Sequence, residues 1–164
     1  MTTLTAIAIT TGLLSGLWGW IAVSLGLLSW AGFLGCTSYF ASPKDGWKGL
    51  RDSLIANLSG VFWAMVIIYC SQFTSLDIAA YAVTGLVSFF MCIQAKQTWL
   101  SYIPGTFVGC CATFAANGDW SLVVPSLLLG GVFGYLMKRS GVWLAKRQRS
   151  LEQCASSSTV KSSR

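Results

Sequence analysis

The chain has 164 residues and a net charge of +6, yet only 10% of its residues are charged and 54% are hydrophobic. A water-soluble domain of this size carries about a quarter charged residues. With a mean hydropathy of +0.64, the composition therefore excludes an ordinary soluble domain and points to lipid as the solvent.

The first 43 residues, Met1 to Pro43, contain no charge at all. That length is about twice what one helix needs to cross roughly 30 Å of hydrocarbon at 1.5 Å per residue. A first helix is expected near 3–20, a hairpin near 21–26 and a short second helix near 27–42. Trp18, Trp20 and Trp30 surround Gly19, Ser24 and Gly26 there, as indole rings favour the membrane interface. A secretory signal peptide is excluded, because no Lys or Arg precedes residue 44 and the apolar run is too long. Pro43 and Gly46 mark a loop. Four further charge-free runs follow, at Ser53 to Leu76, Ile78 to Ala95, Gln97 to Gly118 and Trp120 to Met137, each one helix long. Pro104 begins the fifth helix, where a missing N–H is tolerated, and Pro125 falls in the sixth. "KRSGVWLAKRQR" then reads as a basic extension lying in the interface, and the tail 146–164 ends in the Ser-rich "ASSSTVKSSR", expected to be disordered.

The expectation is an all-α integral membrane protein with six transmembrane helices in residues 1–145. Lys44, Lys48 and Arg51 fall between helices two and three, Lys96 between four and five, and the remaining cations after helix six. Asp77 and Asp119 fall on the other side. The positive-inside rule then makes both termini cytoplasmic. The net charge needs no nucleic-acid partner; topology and attraction to anionic lipid headgroups account for it. Histidine is absent and none of the six cysteines forms a CxxC pair, so the usual zinc arrangements are excluded and no cofactor is expected. Thiols inside helices act as small packing residues.

"GFLGCTSYFA" (32–41) is echoed by "TFVGCCATFA" (106–115), with Phe33/Phe107, Gly35/Gly109, Cys36/Cys110, Phe40/Phe114 and Ala41/Ala115 in common. "TGLLS" (11–15) pairs with "TGLVS" (84–88), and "SGVF" (59–62) with "GGVF" (130–133), at offsets of 73, 74 and 71 in chain order. These matches suggest a duplicated three-helix unit, with halves of about 3–72 and 76–145. An odd number of crossings inverts the second copy, and inverted repeats place functional sites at their interface. Ala31 and Gly35, and Gly105 and Gly109, are spaced for close backbone approach. The candidate path or helix-crossing residues are Gly35, Cys36, Thr37, Ser38, Gly109, Cys110, Cys111 and Thr113. Gly12/Gly16, Ala56/Gly60 and Gly130/Gly134 read as packing seams.

No ionisable side chain falls in the middle of any predicted helix, which argues against proton-coupled transport. No nucleophile–base pair exists, so no enzyme activity is expected. The reading that follows is a passive channel or facilitator for a small neutral solute. The alternative is a non-transporting scaffold or accessory subunit that packs through small-residue seams. A channel turns the polar stripe of helices two and five toward the centre; a scaffold leaves it outward or filled by packing. Homo-oligomerisation is compatible with both.

"GLWGWIAVSLGLLSWAGFLGC", "GVFWAMVIIY", "IPGTFVG" and "FAANGDW" closely resemble a family of small enterobacterial inner-membrane proteins classed as a domain of unknown function. The likeness runs from about residue 6 to residue 145. It implies a multi-pass protein of the bacterial inner membrane and supplies no catalytic residues.

Overall fold

The computed structural model describes residues 2–72 and 77–162, with side chains described for 2–72 and 81–150. The residues between Gln72 and Asp77, and the side chains of Asp77, Cys154, Lys161 and Arg164, lie outside the described residues. Six α-helices follow in order: α1 (Thr3–Ser24), α2 (Ser29–Phe40), α3 (Gly46–Gln72), α4 (Asp77–Ile93), α5 (Ile103–Ala115) and α6 (Trp120–Ser162). A 3-10 turn, Gln94–Lys96, follows α4.

The helix ends are set by local chemistry. α1 runs four residues past the expected end near residue 20 and stops where Gly26 adopts a left-handed φ of +66°. There Leu27 N–H bonds the Ala22 carbonyl and Gly26 N–H the Val23 carbonyl, a Schellman stop. Asn117 at φ 52° stops α5 the same way, with Gly118 N–H on Thr113 and Asn117 N–H on Phe114. Two residues later the Asp119 carboxylate accepts from Leu122 N–H at 3.4 Å and so caps α6. "ANGD" is thus a complete stop-and-restart. The backbone of α6 continues through the basic stretch to Ser162, where Ser content alone leads one to expect an irregular tail. The intervening Leu, Ala, Lys, Arg, Gln and Glu are good helix formers.

α1, α3 and the Trp120–Ser150 part of α6 are long and apolar enough to cross a membrane. α2 and α5, with 12 and 13 residues, are each only about 20 Å long.

Contacts between the ends fix how the helices alternate. Arg149 Nη2 donates to the Thr3 hydroxyl at 3.0 Å, and Lys138 Nζ reaches Asp45 at 2.5 Å. The start of α1, the α2–α3 loop and the basic part of α6 therefore share one end. At the other end Leu28 N–H bonds the Ser126 hydroxyl and Gly118 lies against Ile68.

Large apolar side chains face outward and small ones inward. Leu4, Leu13, Val23, Phe62, Tyr81 and Phe89 are exposed, whereas Ala6, Ala22, Ala31, Ala56, Ala64 and Ala112 have no accessible surface. Trp47, Trp99 and Trp143 are exposed near the basic residues, and Trp20 and Trp120 are exposed at the opposite end. Trp18 departs from its expected interfacial place. It is 1% exposed, donates its indole N–H to the Ser29 carbonyl and lies against Gly32 and Phe133. Position 32 has no side chain, and that vacancy lets the ring in.

Candidate functional site

α2 packs chiefly on α6, and α3 chiefly on α5. Both crossings are backbone to backbone. A Cβ added at Gly35 would stand 2.4 Å from the Leu127 carbonyl oxygen, and one at Gly130 1.9 Å from that of Gly32. In the other pair, a Cβ at Gly109 would stand 1.9 Å from the Asn57 oxygen and one at Gly60 1.9 Å from that of Thr106. Small residues are obligatory at such approaches, where dispersion and C–H···O contacts replace the missing hydrophobic drive.

Gly35 and Gly109 are therefore brought not to each other but to α6 and α3 respectively. Their helical neighbours divide by face. Cys36, Ser38, Cys110 and Thr113 are buried, whereas Thr37 and Cys111 point outward. Cys36 Sγ contacts Met137 Sδ at 3.6 Å. The Thr37 and Thr113 hydroxyls return to the carbonyls of Phe33 and Gly109 one turn earlier. Of the expected seams, Ala56/Gly60 and Gly130/Gly134 are real. Gly12 and Gly16 are not internal seams: nothing lies within 4 Å of where their side chains would be, nor at Gly19 or Gly85.

Two polar clusters cross the bundle. In the first, the Ser38 hydroxyl donates to Asn57 Oδ1 at 2.8 Å, and Tyr102 faces Ser38. Asn57 is 1% exposed and its Nδ2 has no partner among the described residues. A buried amide donor left unpaired costs about 1–3 kcal/mol. In the second, Gln94 Oε1 accepts from the Ser59 hydroxyl at 2.8 Å and from the Trp63 indole N–H at 2.9 Å. Gln94 Nε2 donates to Thr106 at 3.1 Å. Every heavy atom of the Gln94 amide is engaged, and the cluster ties the end of α4 to α3 and α5.

Sequence reasoning singles out Ser38 of these two clusters but not Gln94, Ser59, Tyr102 or Thr106. The available signal was a lone Gln directly after "MCI" in an otherwise apolar run. A lipid-facing amide there would be unsatisfied.

Grooves lie on the surface formed by the described residues. One of about 580 Å³ is apolar and is formed by α3 and α6 around Phe62, Met65, Tyr69 and Trp120. One of about 260 Å³ between α1 and α2 includes Cys36 and Thr37 beside Thr11, whose buried hydroxyl is unpartnered. A third, about 300 Å³, lies at the basic end. Near the start of α3, Asp52, 4% exposed, takes Lys44 Nζ at 2.6 Å and Arg51 Nη2 at 3.0 Å. Among the described residues no three His, Cys, Asp or Glu side chains gather as metal ligands would.

The likeness to known proteins extends over nearly the whole bundle. The "Inner membrane protein YcdZ" of Escherichia coli is 66% identical over 148 residues, covering 90% of this chain and 91% of that protein. Its Salmonella typhimurium namesake is 64% identical over 149 residues, with 90% and 93% covered. A more distant relative, the "Uncharacterized protein YahC" of Escherichia coli, is 30% identical over 164 residues, with 89% and 95% covered. No solved structure matches. The model of the family described as "Protein of unknown function (DUF1097)" matches residues 8–142, so a stretch that includes both glycine crossings and both polar clusters places the chain in that family.

Proposed function

We propose that the chain is a multi-pass protein of the bacterial inner membrane, with both termini cytoplasmic, that serves as a non-transporting scaffold or accessory subunit without catalytic chemistry. The relatives named inner membrane proteins support the location. The outward-facing large apolar side chains and the clustering of cations at one end support the embedding and its orientation.

The same proposal takes the bundle to be two inverted three-helix repeats. The buried residues of α2 are Ala31, Gly32, Gly35, Cys36, Ser38 and Tyr39, and each recurs as a buried position 74 residues on in α5. Exchanging α1 with α4, α2 with α5 and α3 with α6 turns the α2–α6 crossing into the α5–α3 crossing. The contact of Gly35 with residue 127 then becomes that of Gly109 with residue 57, and Gly130 with residue 32 becomes Gly60 with residue 106. The offset between α3 and α6 is 70 in these contacts, one residue from the 71 of the "SGVF"/"GGVF" match. An inverted pair also reconciles six crossings with the shortness of α2 and α5, since each is flanked by a longer helix of the other half.

The observation that carries the scaffold reading is that the inner face of α2 and α5 is filled by the backbones of α6 and α3. A solute path there needs the glycine crossings to part. Meanwhile Gly12 and Gly16 on α1 and Gly85 on α4 have open space where a side chain would be, gaps between exposed large side chains that a partner helix can approach closely. One observation favours the channel: the unpaired Asn57 amide beside Ser38 suits a small polar solute in an occluded state.

Stopped-flow light scattering on proteoliposomes separates the two. The scaffold predicts solute entry no faster than in empty liposomes, together with site-specific photo-crosslinks from positions 12 and 85 to one membrane protein in cells. Faster entry that Asn57→Leu abolishes in a folded protein overturns it. A leucine at position 35 is unsuited to this test, because a side chain there meets the Leu127 carbonyl and disrupts the fold.

A further inference from the structure

The 300 Å³ groove at the basic end is walled by three elements that the fold brings to one level. Tyr39 comes from the end of α2, Gly46 from the first turn of α3, and Tyr135, Lys138 and Arg139 from α6. The two cations are poised rather than free in solvent. Lys138 Nζ lies 5.8 Å from the centre of the Tyr39 ring, and the Arg139 guanidinium 5.6 Å from that of Tyr135, whose hydroxyl it also bonds. The rings themselves meet edge to face at 5.9 Å. Gly46, the first residue of α3, lines the same groove, so the α3 N-terminus adds its positive end to this space.

Depth matters as much as charge. From Trp120 at the opposite end to Lys138, α6 rises about 30 Å, the thickness of the hydrocarbon layer. The groove thus stands at the level of phospholipid phosphates in the leaflet on the basic side, with Val142 and the tyrosine rings offering apolar wall. At present an anion already sits on Lys138: the carboxylate of Asp45, 2.5 Å away. That side chain is 80% exposed, so it can leave for water without breaking internal packing.

We propose that this groove is a headgroup site for an anionic phospholipid, with its phosphate held by Lys138 and Arg139, its glycerol against Tyr39 and Tyr135, and Asp45 acting as a built-in competitor. The source of the phosphate is the bilayer rather than a soluble ester, because the groove opens at headgroup depth. The proposal rests on membrane embedding and not on the scaffold role. Lys146 and Arg147, further along α6, are not part of it; Arg147 is engaged over the Trp143 ring at 5.3 Å.

Native mass spectrometry of the full chain in neutral detergent tests this, with phosphatidylglycerol and phosphatidylcholine of identical acyl chains offered in competition. Phosphatidylglycerol is expected to be retained preferentially, roughly fivefold more tightly for each engaged cation. The preference is lost in Lys138→Gln/Arg139→Gln, kept in Lys146→Gln/Arg147→Gln, and raised in Asp45→Asn. Asp45 is an exposed residue whose replacement leaves the fold intact, so this variant decides the matter even if the double variant fails to fold. Equal retention of the two lipids overturns the proposal. So does an unchanged preference in Asp45→Asn, or a loss in the Lys146/Arg147 pair as large as that in Lys138/Arg139, which would mean diffuse charge. Free glycerol phosphate displacing the lipid at equal concentration would reassign the site to a soluble anion.

Discussion

At the scale of single residues, the glycines divide into two populations that composition cannot tell apart. Gly60, Gly109 and Gly130 stand against carbonyl oxygens of a neighbouring helix, whereas Gly12, Gly16 and Gly85 face open space. Alanine at position 60 or 109 forces backbones apart, and the expected cost is about 1–3 kcal/mol or more, read as a lower midpoint of thermal unfolding in detergent. Alanine at position 12 or 16 relieves the poor helix propensity of glycine and should stabilise the isolated protein by about 0.5–1 kcal/mol. If α1 presents a docking face, the same change weakens crosslinking to the partner. A gain in stability with loss of association would be the signature of a face kept open for function. Asn57 poses a parallel question. Should its amide be purely structural, Asn57→Leu removes one unpaired buried donor but strands the Ser38 hydroxyl; each effect is about 1–3 kcal/mol, they oppose, and the net change in stability is small.

At the scale of elements, the stop signals and the ion cluster at the start of α3 carry the testable chemistry. Asn117 occupies a left-handed conformation that costs an L-residue roughly 1–2 kcal/mol unless it is Asn or Gly. Asn117→Ala should therefore destabilise by about 1 kcal/mol and Asn117→Gly should not, in the same unfolding measurement. Asp52 pairs with Lys44 at 2.6 Å and Arg51 at 3.0 Å. Asp52→Asn removes the charge both cations face, and the expected result is a lower midpoint of unfolding at neutral pH, whereas an unchanged midpoint would make the cluster incidental.

At the scale of the whole molecule, the two glycine crossings make α2 with α6, and α3 with α5, the rigid units of the bundle. α4 is held largely at one end, by Gln94 through Ser59, Trp63 and Thr106. Gln94→Leu strands the Trp63 indole N–H and should loosen α4 before the rest, seen as faster backbone hydrogen exchange in α4 than in α3 or α6. Topology makes its own prediction. Single cysteines placed at residues 45 and 97 should be shielded from a membrane-impermeant thiol reagent in intact cells, and one at residue 118 should react. Reaction at 45 would reverse the orientation, and discordance between 45 and 97 would break the six-crossing scheme.

The sequence by itself determined the solvent of this protein, the number and order of its helices, and the gathering of cations at one end. Each of these follows from one-dimensional quantities: runs without charge, the length one helix needs, and the placement of Lys and Arg. The caps were equally legible in principle, since Gly26 and "NGD" carry their conformations locally. What only the tertiary structure decided is which face of each helix is inside. In a soluble helix the contrast of polar and apolar marks the buried face. Here lipid is as apolar as the interior, and the surviving contrast is small against large. That contrast is ambiguous wherever glycine appears, so Gly12 and Gly35 look alike, Trp18 reads as interfacial, and nothing in one dimension says which helix Gly35 or Gly109 approaches. Their true neighbours, the carbonyls of Leu127 and Asn57, are backbone atoms, which every residue possesses and no sequence pattern announces.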